Sequence, residues 1–137
     1  MDEDRTRDKI EEIEKFLEEL ESSLPYDFEN YKIDYKIKAI CERYFEKIVE
    51  AVVDLAFIFI KGKKLGIPEE DIQAFDILFN KSLISDNLHI KLKQAKGMRN
   101  IIAHEYGKID DEKVFHAVSE ELIPDVREFL FSINSKK

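Results

Sequence analysis

The chain has no tryptophan, one cysteine, three prolines and four glycines in 137 residues. A single thiol, Cys41, leaves nothing to pair with inside the chain. A disulfide-stapled secreted scaffold is therefore excluded, and a buried, reduced cysteine in a cytoplasmic protein is expected. So little glycine and proline also excludes collagen-like and low-complexity classes, and a many-stranded sheet would need more turn residues than this. Long hydrophobic runs are missing too. The longest, Ala51 to Ile60, is interrupted by Asp54 and is too short to span a bilayer. The charged start Met1-Asp2-Glu3-Asp4-Arg5 leads into no apolar stretch, so no secretory signal is expected.

A basic excess is also lacking: 22 Lys and Arg stand against 30 Asp and Glu, a formal charge of -8. A surface built to hold nucleic acid by broad phosphate neutralisation is disfavoured, so any RNA contact has to be local. Metal and cofactor motifs are not evident. His89 and His116 have no convincing ligand partner nearby and read as surface or capping residues. Gly62-Lys63-Lys64-Leu65-Gly66 has the wrong spacing for a phosphate loop and reads as a helix-ending turn. Cys41 lacks an activating neighbour.

What remains is helical. With 44% hydrophobic residues the chain can build one core, and one domain over 1–137 is expected. Ile10, Ile13, Leu17, Leu20 and Leu24 place a first helix over Asp4–Leu24, which Pro25 ends. A long second helix is predicted from Phe28 to Lys61 on a stripe from Ile33 to Phe59. Its last part, Val49 to Ile60, is apolar nearly all round and marks a candidate dimer surface. A third helix starts near Pro68 and runs to about Leu83. A fourth runs from Ser85 or Asp86 through Tyr106, with Gly107 as its stop. A fifth begins at Asp110 or Asp111 and is kinked or divided by Pro124. The expected fold is an all-α, up-and-down bundle of about five helices, centred on the second and fourth.

The chemistry concentrates at the end of the fourth helix, in Arg99-Asn100-Ile101-Ile102-Ala103-His104-Glu105-Tyr106. At about 100° per residue, Arg99 and Tyr106 lie nearly in line if the helix persists, with Asn100 and His104 in the next column. An imidazole moves protons near neutrality and a guanidinium stabilises charge on a phosphate, a set suited to phosphodiester cleavage without a metal. Asn100 is placed to orient the phosphate or the imidazole. One histidine supplies only one acid-base group, which favours two copies meeting across a dimer axis. Arg and His near a helix C-terminus are also favoured by the macrodipole alone, so spacing by itself does not decide the matter. Asp34 and Arg43, nine positions apart on the predicted second helix, are candidates for the border of such a cleft.

The pattern Met98-Arg99-Asn100-x-x-Ala103-His104-x-Tyr106, followed by Asp110, resembles the Arg-x4-His-x-Tyr signature of HepT-type HEPN toxins. Asp34, the segment Ala39 to Ala56 and the Phe75–Leu78 stretch are similar to that family in order and spacing. The resemblance implies a HEPN-like homodimer that cuts RNA without metal or other cofactor. Arg99 and His104 become the catalytic pair, with Asn100 supporting. The implied reaction is attack of the ribose 2′-hydroxyl on the adjacent phosphate, leaving a cyclic phosphate. It further implies a toxin-antitoxin system with a minimal nucleotidyltransferase antitoxin as partner, and transfer of AMP to Tyr106. The alternative is a catalytically inactive HEPN dimer that binds nucleotide or the nucleotidyltransferase. Glu105, Asp110, Asp111 and Glu112 crowd the motif with negative charge and make selective cleavage the expectation.

Overall fold

The structure, a computed structural model, describes residues 2–136, apart from the side chains of Asp2 and Tyr106. Within them all the regular structure is helical: α1 (Asp2–Ser23), α2 (Phe28–Ile33), α3 (Tyr35–Lys63), α4 (Asp71–Asn80), α5 (Asp86–His104), α6 (Asp111–His116) and α7 (Leu122–Ser135). The all-α bundle read from the periodicity is what forms. Helix α3 is its hub, in contact with α1, α2, α4, α5 and α7.

The first predicted helix is α1, which buries Ile10, Ile13, Leu17 and Leu20 along α3. The predicted second helix is broken at Asp34. There the backbone turns extended (φ -107°, ψ 97°), and the Asp34 carboxylate accepts from the backbone N–H groups of Lys36 at 3.0 Å and Ile37 at 3.2 Å. A carboxylate that caps the first turn of a new helix competes with continuation of the old one, and this the hydrophobic stripe did not reveal. Asp34 and Arg43 therefore do not share one continuous helix. Asp34 is a cap, and Arg43 is an exposed residue of α3.

Most of the apolar half of α3 is already covered within one chain. Val49, Ala51, Val52, Val53, Leu55, Ala56, Phe59 and Ile60 are all buried within one chain, because helices pack on several sides of α3. Most of the dimer surface expected there is thus part of the monomer's core, with Phe57 and Ile58 left half-buried. Cys41 is fully buried as expected, and burial pushes its thiol up to about 11. Helix α3 also outlasts its predicted stop. Gly62 is helical, and Lys64 takes the left-handed position (φ 56°) with its N–H on the Ile60 carbonyl.

The predicted third helix is shorter than expected. A reciprocal capping box between Glu70 and Gln73 starts α4 at Asp71. The predicted fifth helix is divided, and the division precedes Pro124. A π-helical turn, Ala117–Glu121, joins α6 to α7, and the Leu122 N–H reaches back to the Ala117 carbonyl. Proline offers no N–H and its ring crowds the carbonyl four residues back, so one widened turn accommodates Pro124 near the start of α7.

Candidate functional site

Helix α5 carries the motif. Ser85 caps it, its side chain accepting from the Leu88 N–H at 3.1 Å, and Leu88, Leu92 and Ile102 fix its inner face in the core. The helix is left at Glu105 (φ -128°, ψ 60°), whose N–H closes the last turn on the Ile101 carbonyl at 2.9 Å. A 3-10 turn, Tyr106–Lys108, follows. The helix thus ends two residues before its predicted limit. Gly107 sits inside the tight turn rather than after the helix, and the turn needs Glu105 as its entry. Tyr106 is consequently not in line with Arg99 on α5, and its side chain lies outside the described residues.

Arg99, Asn100 and His104 do lie on one helix end. Asn100 and His104 are exposed, and His104 occupies the last turn, where a cation is favoured by the free carbonyls. Arg99 is different. Its side chain is only 19% exposed, and its guanidinium is held at both terminal nitrogens. Nη2 donates to Oε1 of Glu50 on α3, and Nη1 donates to Oδ1 of Asn100 at 3.3 Å. Nε is buried without a hydrogen-bond partner. Five positions on an α-helix turn the side chain by about 140°, so Arg99 and His104 of one chain diverge, with Asn100 between them.

Glu50 is the residue that sequence reasoning missed. Its signal was present: a glutamate between Val49 and Ala51, both buried, inside the most apolar stretch of the chain. Its own side chain is 45% exposed, but the Arg99 guanidinium it meets is largely buried, and a buried charge is retained when it has a partner. Pairing of this kind extends along α5. Lys91 meets Asp125 at 3.5 Å, Lys93 meets Asp76 at 3.1 Å and Lys96 meets Asp71 at 3.0 Å. The cations of the helix are therefore offset locally by carboxylates from α4 and α7, in keeping with the acidic composition.

His89 is neither a free surface residue nor a cap. Its Nε2 lies 2.5 Å from Asp76 Oδ1, and its ring stacks on Phe79 with centroids 4.6 Å apart. The partner comes from α4, which local spacing in α5 could not show. His116 is exposed and pairs within its own helical turn with Glu120 at 2.6 Å. Among the described residues no group of three or more His, Cys, Asp or Glu side chains is arranged to hold a metal.

The comparisons agree on one family. The family model "Ribonuclease HepT-like" matches residues 8–133. An mRNA nuclease HepT of Shewanella oneidensis is 28% identical over 110 residues, covering 80% of this chain and 82% of that protein. A tRNA nuclease HepT of Aphanizomenon flos-aquae is 26% identical over 111 residues, covering 81% of this chain and 76% of that one. Among solved structures, the tri-AMPylated Shewanella oneidensis HEPN toxin in complex with MNT antitoxin superposes with a TM-score of 0.87 at 26% identity, over 95% of this chain and 96% of that one. This chain belongs to the ribonuclease HepT-like family.

Proposed function

We propose that this chain is the toxin of a toxin-antitoxin pair, a metal-independent endoribonuclease that works as a homodimer and is neutralised by a nucleotidyltransferase. The observation that carries the reading is the end of α5, which carries an anchored guanidinium, an amide and an exposed imidazole within six residues. Arg99 stabilises charge on the phosphate, and His104 exchanges protons as the ribose 2′-hydroxyl attacks and the 5′-oxygen leaves. The products are a 2′,3′-cyclic phosphate and a free 5′-hydroxyl.

A single chain supplies one acid-base group, and its Arg99 and His104 point apart. Both facts favour a second copy. The exposed side of α5 offers a surface for it: Ile90 is 48% exposed, Ile101 is 38% exposed, and between them Gly97 has no atom near the position a Cβ would take. Glycine inside a helix costs about 1 kcal/mol relative to alanine, a cost that close approach of another helix would offset. This face adjoins Asn100 and His104, so two copies meeting here bring two histidines towards one cleft.

Tyr106 follows His104 by two residues in the chain, and AMP attached to its hydroxyl would add a bulky nucleotide and a negative charge next to the motif in sequence, which disfavours an RNA backbone there. The Shewanella relative, described as a tri-AMPylated toxin bound to its MNT antitoxin, supports this regulation. Action in the cytoplasm fits an RNA substrate and a reduced Cys41, and no described helix is long and apolar enough to cross a membrane. Expression in bacteria tests the whole reading. The chain alone should arrest growth and deplete transcripts, and coexpression with a nucleotidyltransferase from an adjacent reading frame should relieve both. Normal growth with intact RNA would favour the inactive, nucleotide-binding dimer.

A further inference from the structure

Glu50 has no role in the reading above, yet it makes the contact that fixes the orientation of Arg99. The guanidinium passes through a largely buried slot, and because Nε has no partner, its orientation rests on the two terminal nitrogens. Glu50 holds Nη2 from α3 and Asn100 holds Nη1 from α5 itself. We propose that Glu50 is a positioning residue for RNA cleavage, which with Asn100 clamps the Arg99 guanidinium in the plane that meets the phosphate. This inference rests on the ribonuclease reading and refines it. In it Asn100 supports Arg99.

The physical consequence is a split between binding and catalysis. A carboxylate beside the guanidinium offsets its charge and weakens attraction for RNA in the ground state. The same carboxylate fixes the donors before reaction, and a preorganised donor matters most where charge builds up, on the phosphate oxygens in the transition state. Removing the negative charge while keeping the shape should therefore improve RNA binding and impair turnover. A latch that merely blocked the site would give tighter binding with turnover intact or raised. A purely structural ion pair would change melting temperature alone.

The test compares wild type, Glu50→Gln and Glu50→Asp by steady-state cleavage of a short RNA and by 15N NMR of the Arg99 guanidinium. Its resonances are assigned with Arg99→Lys, and circular dichroism checks folding. For Glu50→Gln the expected result is kcat down on the order of tenfold, KM equal or lower, and Arg99 Nη signals averaged by faster rotation. Glu50→Asp should recover part of the loss, since it restores the charge. Unchanged or raised kcat, or unchanged Arg99 signals, would overturn the proposal. If the wild type cleaves no RNA, the ribonuclease reading fails, and the NMR comparison alone then decides whether Glu50 holds Arg99.

Discussion

Glu50 and Arg99, separated by 49 positions in the chain, meet as an ion pair between α3 and α5 and tie the motif to the hub of the fold. Helix α5 is thereby both the scaffold of the candidate site and part of the core. Its inner face carries Leu88, Leu92 and Ile102, and its end carries Asn100 and His104. Substitutions on the exposed side can therefore report on function with little effect on folding, whereas changes at Arg99 disturb both.

The dimer surface is open to a direct check. Ile101→Asp places a charge on the partly exposed face of α5 next to the site, and circular dichroism checks that the monomer still folds. Light scattering after gel filtration should find wild type at twice the monomer mass and Ile101→Asp at the monomer mass, with cleavage reduced at least tenfold at equal concentration. A variant that stays dimeric would place the interface elsewhere.

Asp34 was expected at the border of the cleft and is found capping α3. Asp34→Ala removes the acceptor for two backbone N–H groups and should lower stability by about 1 kcal/mol. RNA cleavage at a temperature well below melting should be unchanged. A large loss of activity with unchanged melting would return Asp34 to the cleft.

Much of this was legible in the sequence because it depends on local rules. The apolar spacing of α1, the serine cap of α5 and the order Arg99, Asn100, His104 need no knowledge of neighbours. What was not legible depends on competition or on distance. Asp34 could continue a helix or cap one, and only the cap geometry decides. Gly107 could stop α5 or sit within the next turn. Glu50 and Asp76 gain their meaning from Arg99 and His89 on another helix, a relationship that no window along the chain contains.

Acid stability should report the α4–α5 link. The hydrogen bond from His89, helped by Lys93 and opposed by partial burial, holds the Asp76 carboxyl below its ordinary range. A depressed folded-state value adds stability above the unfolded value of about 4 and loses it as pH falls through the folded one. Asp76→Asn should therefore be less stable than wild type at neutral pH, with the gap closing below about pH 4. Thermal melts across pH 2 to 7 will show it, and a gap that persists in acid would assign the effect to packing.

Modification is predicted at one hydroxyl. Coexpression with the neighbouring nucleotidyltransferase should add AMP to the chain, and Tyr106→Phe should abolish the mass increase while leaving the complex intact. AMP on any other residue would remove Tyr106 from the regulatory account.

The central claim is that the end of α5 cuts RNA, and the most direct measurement is cleavage by purified protein in EDTA with the product ends identified by mass spectrometry. Wild type should release 2′,3′-cyclic phosphate ends, and His104→Ala should cleave at least 100-fold more slowly, a general acid-base loss of about 10² or more, with an unchanged melting temperature because His104 is exposed. Equal cleavage by the two proteins would contradict the account.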